Sequence, residues 1–157
     1  MKRLIKVQYR RRRQHKTDYL ARRRLLESGL PRLVIRKTNR YIIMQIAESK
    51  EAQDKVIIST YSKELPEYGW PESFSIKNLS AAYLTGYLCA SKAAKKGVKK
   101  AILDIGLNIS TKGNKIYAAV KGAIDGGLNV PCSEEMLPDK EILEIDDKIL
   151  NKMKEKS

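Results

Sequence analysis

The sequence is poor in the residues that build disulfide, redox or metal sites. Its 157 residues include only two cysteines, Cys89 and Cys132, and one histidine, His15. The cysteines lack the CxxC spacing of metal and redox motifs, and three side chains are too few to complete a zinc site. We therefore expect free thiols, no metal centre and no cofactor.

Long apolar runs are missing as well. No stretch approaches the roughly 20 apolar residues that cross a membrane as a helix, and no apolar signal core lies near the N-terminus. An organelle transit peptide is an alternative for the Arg-rich first segment, but residues 1–16 contain no serine and no continuous apolar helix face. We expect a cytoplasmic protein with no membrane partner.

Acidic residues are scarce in one part of the chain. Residues 1–40 hold 15 Lys or Arg and two acids, a balance of +13, whereas residues 41–157 hold 17 Lys or Arg and 16 acids. Nearly all of the net charge of +14 therefore lies in the first quarter. A nearly neutral body with a basic N-terminal segment predicts a polyanionic partner, either nucleic acid or, as an alternative, an acidic protein.

Apolar periodicity predicts one mixed α/β domain. We expect a three-stranded antiparallel meander, a crossover helix, a fourth strand parallel to the first, and a second packed helix. The predicted strands cover 33–35, 41–46, 55–62 and 101–107, and the predicted helices cover 17–28, 78–97 and 115–127. We divide the chain into a basic arm (1–16), the α/β domain (17–131) and an acidic C-terminal tail (132–157).

Two of the predicted helices have distinctive patterns. In 78–97, Asn78 or Ser80 can cap the N-terminus, and small residues such as Gly86 suit close packing on a sheet. In the tail, four apolar side chains have the spacing of an amphipathic helix that lies on the body or on a partner. They are Ile142, Ile145, Ile149 and Met153.

A predicted hairpin presents cations and an amide at its tip. Residues 36–40 join the first two strands, and Asn39 is a residue type that accepts the positive φ of a tight turn. Such a tip suits an anionic, hydrogen-bonding partner. The alternative is an ordinary polar turn whose charges protect a strand edge.

Two further basic segments are candidates for phosphate contact. Residues 10–13 are four consecutive arginines, expected to stay disordered until an anion neutralises them, with Tyr9 and His15 placed to stack on bases. The predicted helix 17–28, capped by Thr17, would link this arm to the hairpin. In the loop 108–115, two lysines flank a glycine that lets the backbone approach a phosphate, although such glycine turns are common.

Several segments together resemble one known family. They are RRRRQHKTDY (10–19), SGLPRLVIRKTNRYIIMQI (28–46), YSKELPEYGW (61–70), AAYLTGYL (81–88), ILDIGL (102–107), TKGNKIYAAVKGAIDGGL (111–128) and VPCSEE (130–135). In order and spacing they resemble the archaeal-type L-eighteen family of large-subunit ribosomal proteins. The resemblance covers roughly residues 9–138. The chain departs from the family in its acidic tail and in carrying Tyr41 and Tyr61 where the family tends to have histidine.

The resemblance implies a fold and a function. The fold is a ribonuclease-H-like α/β sandwich with sheet order 3-2-1-4. The function is structural: binding 5S rRNA and attaching it to large-subunit rRNA in the central protuberance, beside neighbouring ribosomal proteins. It implies a cytoplasmic, ribosomal, non-enzymatic protein that does not bind DNA or form homo-oligomers. The residues expected at the RNA are Tyr9, Arg10, Arg11, Arg12, Arg13, His15, Lys16, Arg22, Arg23, Arg24, Arg32, Arg36, Lys37, Thr38, Asn39, Arg40, Tyr61, Lys112, Gly113, Asn114 and Lys115.

Two other functions compete with this one. A metal-dependent nuclease on the same fold would need several carboxylates around its metal ions, whereas Asp104 is the only acid in a predicted strand. A general RNA-binding module outside the ribosome would share the charge pattern but show no preference for 5S rRNA.

Overall fold

Four strands form one mixed sheet in the computed structural model. The structure describes residues 7–50, 53–139 and 147–155. The strands are β1 (Arg32–Lys37), β2 (Ile42–Lys50), β3 (Gln53–Tyr61) and β4 (Ile102–Asp104). The first three are antiparallel neighbours, β4 runs parallel to β1, and the order is β3-β2-β1-β4. This confirms the predicted meander, crossover and sheet order.

The helices follow the predicted order. They are α1 (Arg10–Arg13), α2 (Tyr19–Glu27), α3 (Leu79–Lys95), α4 (Lys115–Asp125) and α5 (Asp147–Glu155), with short 3-10 turns at Ser62–Tyr68 and Glu134–Met136. Asn78 caps α3, since its side-chain oxygen accepts a 2.7 Å hydrogen bond from the amide of Ala81. The cap of α2 is Asp18, which accepts from the amides of Leu20 and Ala21, so the prediction of Thr17 was wrong by one residue.

The core lies on one face of the sheet, under α3 and α4. Strand alternation places Leu33 and Ile35 of β1 and Met44 of β2 on that face, all fully buried. The opposite face of the same strands carries half-exposed side chains such as Val34 and Gln45. The sheet therefore has one apolar, packed face and one polar, partly open face.

Helices α3 and α4 approach so closely that glycine is required in both. A Cβ on Gly86 of α3 would lie 2.0 Å from the carbonyl oxygen of Ala119, and one on Gly122 of α4 would lie 1.9 Å from that of Tyr83. The sequence pattern predicted that the small residues of α3 pack on the sheet. The two glycines instead pack against the neighbouring helix.

This contact gives a test of helix packing. Gly86→Ala or Gly122→Ala should destabilise the fold by about 1–3 kcal/mol, because backbone atoms must separate to admit the methyl group. In an unobstructed helix the same change would stabilise by about 1 kcal/mol, so the sign is diagnostic. Urea unfolding measures the effect, with Ala94→Ser on the exposed side of α3 as the control. A more stable Gly86→Ala protein would contradict the close contact.

Strand lengths differ from the prediction where polar residues extend them or a turn ends them. Strand β2 includes Glu48 and strand β3 includes Asp54. The prediction that Asp104 is the only acid in a strand was therefore wrong. Strand β4 stops at Asp104 because Gly106 turns the chain with a φ of +63°. Strand pairing lets polar residues at the outer end of the hairpin join the sheet.

The C-terminal helix α5 packs on the body, against α3 and the turn at Ser62–Tyr68. Its Ile149 and Met153 are buried in the core, as the amphipathic spacing predicted. The predicted partners Ile142 and Ile145 lie outside the described residues. The loop at residues 63–73 also packs on the body, since its Trp70 is buried.

Both cysteines are free thiols, as predicted. Burial raises the pKa of the Cys89 thiol to about 11, and burial also raises the pKa of Cys132. Both thiols are therefore protonated at neutral pH and are poor nucleophiles.

Candidate RNA interface

The described part of the basic arm is partly ordered. Its sequence predicted disorder, but α1 forms one helical turn at Arg10–Arg13. The turn ends in a Schellman arrangement, with His15 at a φ of +50° and the amide of Lys16 donating to the carbonyl of Arg11. Tyr9 lies against Tyr19, with ring centroids 5.3 Å apart, which connects the arm to α2. Local hydrogen bonds therefore stabilise this turn despite charge repulsion.

The hairpin tip is held by a threonine, not by a left-handed asparagine. The hydroxyl of Thr38 donates to the carbonyl of Tyr41 at 2.7 Å and accepts from the amide of Tyr41 at 3.0 Å. The prediction of a positive φ at Asn39 was wrong, because His15 is the sole non-glycine residue with positive φ in the described part of the chain. Lys37, Asn39 and Arg40 are exposed at this tip.

Three of the predicted RNA-contacting arginines share two of the protein's own carboxylates. Arg22 and Arg32 lie 2.8 and 2.7 Å from Asp54, and Arg32 and Arg36 lie 2.7 and 2.9 Å from Asp104. The five groups form an unbroken alternating chain that links α2, β3, β1 and β4. We call these five residues the ionic chain.

The ionic chain corrects the prediction for Arg32. Its side chain is only 3% exposed and contacts two carboxylates, so it holds strands together and is not available to RNA. Arg36 differs, because its side chain remains 40% exposed while it is paired. Arg23, also predicted at the RNA, pairs with Glu27 at 2.8 Å along one face of α2.

The arginines control the acidity of both carboxylates. Burial alone would raise the pKa of Asp104, but hydrogen bonds and charge from Arg36, the amide of Gly106 and Arg32 lower that pKa below its ordinary value. The pKa of Asp54 is likewise lowered, since Arg22 and Arg32 outweigh its burial. Both acids are therefore ionised at neutral pH, as a salt-bridge network requires.

The 111–115 loop does not form the predicted phosphate cradle. The amide of Gly113 already donates to the carbonyl of Met136 at 3.1 Å, and the side chain of Asn114 caps α4 through the amides of Ile116 and Tyr117. Only Lys112 and Lys115 of this group are exposed and unpaired among the described residues. The loop therefore offers two cations and no backbone nest.

The remaining predicted cations keep their charge available. Exposed, with no ion pair to any described residue, are Arg10, Arg11, Arg12, Arg13, Lys16, Arg24, Lys37, Arg40, Lys112 and Lys115. They lie on the arm, on α2, at the hairpin tip and on the 111–115 loop. The body's carboxylates pair with the inner arginines, and these outer cations remain available to an external anion.

Two lysines beside the hairpin tip were not predicted from the sequence. The Nζ of Lys77 donates to the carbonyl of Asn39 at 3.2 Å, and the Nζ of Lys63 lies 4.3 Å from the centroid of the Tyr41 ring. Tyr41 in turn contacts the ring of Tyr61, with centroids 6.4 Å apart. Both lysines lie more than 20 residues beyond the hairpin tip at 36–40, so only the fold brings them there.

The acids of the body do not form a metal site. Across residues 7–50, 53–139 and 147–155, no group of three His, Cys, Asp or Glu side chains could hold a metal ion. Within the same ranges, no helix has the length and apolar character needed to cross a membrane. Asp104, the acid considered for a nuclease, is instead occupied by Arg32 and Arg36.

Comparison with known proteins agrees with this geometry. A family model described as ribosomal large subunit proteins 60S L5 and 50S L18 matches residues 3–100 and 91–133. The large ribosomal subunit protein uL18 of Korarchaeum cryptofilum is 57% identical over 136 residues, covering 87% of this chain and 69% of that protein. That of Methanothermobacter thermautotrophicus is 48% identical over 135 residues, covering 86% and 69%. The predicted family resemblance is thus confirmed, and the chain belongs to the family of large-subunit ribosomal proteins 60S L5 and 50S L18.

Proposed function

We propose that this protein binds 5S rRNA and helps attach it to large-subunit rRNA in the central protuberance, beside neighbouring ribosomal proteins. Family membership makes the chain a structural, non-enzymatic component of the large ribosomal subunit in the cytoplasm. The choice of 5S rRNA as the ligand is our proposal, and it rests on the family resemblance together with the charge distribution.

The observation that carries the proposal is the separation of paired from unpaired cations. Arg22, Arg32 and Arg36 are paired with Asp54 and Asp104, whereas the arm, the hairpin tip and the 111–115 loop keep exposed, unpaired cations. Exposed guanidinium and ammonium groups held on an ordered frame release counterions when they contact phosphates, and this release drives binding.

The arm and the hairpin act differently in this mechanism. The arginines of α1 lie on a short, exposed turn and neutralise phosphates along an RNA strand. The hairpin tip is rigid, because the Thr38 hydroxyl closes the turn and Lys77 contacts the Asn39 carbonyl. A rigid tip recognises the shape of folded RNA, while Tyr41 and Tyr61 beside it offer rings to unpaired bases.

Comparison of two RNAs tests the proposal. We expect the purified protein to bind 5S rRNA at least tenfold more tightly than an unrelated folded RNA of equal length at the same salt concentration, since shape contacts add to the nonspecific phosphate term. A chemical footprint should show protected 5S nucleotides, and Arg40→Gln should remove part of that protection. Lys99→Gln, which removes an exposed cation outside the proposed interface, is the control.

The same measurement separates the competing functions. Equal affinity for both RNAs would contradict 5S recognition and favour a general RNA-binding module. A footprint unaffected by Arg40→Gln would show that Arg40 at the hairpin tip does not contact the RNA. Any preference for 5S rRNA would then come from other contacts.

A further inference from the structure

A cleft of about 650 Å³ lies between the N-terminal part of the chain and the segment that follows β4. Lys16 and Arg24 line one side, Leu103–Asn108 line the other, and Arg36 also faces the cleft. Residues 105–108 are not among the residues expected at the RNA, and the proposed phosphate contacts do not use them.

The cleft attracts anions. Arg11, Lys16 and Arg24 at its edge are exposed and have no ion pair to any described residue. Its two lining acids are both occupied: Asp18 accepts from the first amides of α2, and Asp104 pairs with Arg32 and Arg36. Five cationic side chains line the cleft against these two acids, so its lining carries a net positive charge.

Arg36 presents a fixed, flat guanidinium in this cleft. Its Nη1 donates to the carbonyls of Ile35 and Asp104 at 2.8 and 2.7 Å, and its Nη2 donates to the Asp104 carboxylate at 2.9 Å. Gly106 lies against the group so closely that a Cβ would be 2.9 Å from its Cζ. A guanidinium held in this way, yet still 40% exposed as a side chain, can stack on a planar ring.

The side of the cleft formed by β4 and the residues after it carries three apolar side chains. Leu103 and Ile105 are half-buried there, and Leu107 is 55% exposed. A ligand that suits both sides carries a negative charge at one end and a flat, weakly polar ring at the other. A nucleotide has this chemistry, and a base that is unpaired in folded RNA is free to enter.

We propose that this cleft holds one unpaired nucleotide of the bound RNA, with its base against Arg36 and Leu107 and its phosphate at Lys16 and Arg24. The inference rests on the proposed function and narrows it to a single site. The pairing of Arg36 with Asp104 suits this role. The carboxylate fixes the orientation of the guanidinium against the base, and it also makes Arg36 less available to phosphates.

Two single strands of equal charge test the cleft. The full chain is titrated with a nine-nucleotide single-stranded RNA and with the same sugar-phosphate strand lacking its bases, while NMR monitors the Gly106 amide and the Arg36 Nε resonance. We expect the base-containing strand to shift both resonances and the base-free strand to shift only those of the arm. Equal shifts with both strands would overturn the proposal.

A matched pair of surface variants gives a second readout. Leu107→Ser should weaken binding of the base-containing strand by about tenfold, because it removes the apolar side chain that covers the base. Ile109→Ser is the control, since Ile109 is 80% exposed two residues away and does not line the cleft. Equal affinity of the two variants for the base-containing strand would overturn the proposed nucleotide site. A thermal unfolding midpoint close to the wild-type value shows that each variant is folded.

The outcomes also separate this site from the proposed function. If the wild-type protein prefers 5S rRNA but both strands shift the Gly106 resonance equally, the proposed nucleotide site is wrong and the proposed binding of 5S rRNA is retained. If the preference for 5S rRNA is absent, the function is wrong, and the strand comparison still decides whether the cleft takes a base.

Discussion

Raising the salt concentration from about 50 to 200 mM should weaken binding to 5S rRNA by roughly a thousandfold or more, if six to ten phosphates are contacted. The reason is the set of exposed, unpaired cations on the arm, α2, the hairpin tip and the 111–115 loop, which release counterions on binding. Isotherms at four or five salt concentrations give the slope of log affinity against log salt. Salt-independent binding would contradict a phosphate interface.

The arm should supply a large part of that slope. Changing Arg10–Arg13 to glutamine removes four charges but keeps a good helix former in α1. We expect the slope to become shallower by about 2.8–3.6 units, since each of four phosphate contacts contributes roughly 0.7–0.9.

The control for the arm removes equal charge elsewhere. Four exposed lysines outside the proposed interface are Lys50, Lys55, Lys99 and Lys100. Their joint change to glutamine lowers the net charge by the same amount and should leave the slope nearly unchanged. If both variants lose the same affinity, net charge acts at long range and the arm makes no special contact.

Asp104→Asn should destabilise the fold by about 3–5 kcal/mol, the usual result of removing one partner from a buried ion pair. Asp104 is 8% exposed as a side chain and holds Arg32, itself buried, as well as Arg36. Without the carboxylate, the buried guanidinium of Arg32 keeps only the partly exposed Asp54. Urea unfolding at pH 7 measures the loss as a lower midpoint.

Two variants place this effect in context. Asp139→Asn removes an exposed acid and should change stability by less than about 0.5 kcal/mol. The double variant Arg32→Met with Asp104→Leu should lose less than the sum of its single variants, because it leaves no unpaired charge between those two positions. Additive losses would show that the pair does not interact across β1 and β4.

The same carboxylates predict how stability depends on pH. Their pKa values are lower in the folded protein than in the unfolded chain, so their contribution is present at neutral pH. This stabilising contribution is lost as the pH falls below the ordinary carboxyl pKa of the unfolded chain and through the lower pKa of the folded protein. Asp104→Asn should therefore lose less stability on acidification than the wild-type protein does, and an identical acid response would contradict this assignment.

Local patterns predicted most of the fold because they depend on neighbours in sequence. Alternation in β1 and β2, the Asn78 cap and the apolar spacing of Ile149 and Met153 each reflect contacts within a few residues or one amphipathic face. The parallel pairing of β4 with β1 followed from the handedness of the crossover. The closing of the hairpin turn by Thr38 was missed, because asparagine and threonine can each stabilise a turn by different means.

Composition and local pattern were enough to indicate where the positive charge lies, which segments form the sheet and helices, and the family to which the chain belongs. Which arginines are available depends on the fold. Asp54 and Asp104 lie 22 and 72 positions from Arg32, and no local pattern relates them. Electrostatic pairing acts through space, so the fold alone brings those acids to Arg32 and Arg36, opens the cleft beside Arg36 and places Lys77 at the hairpin tip.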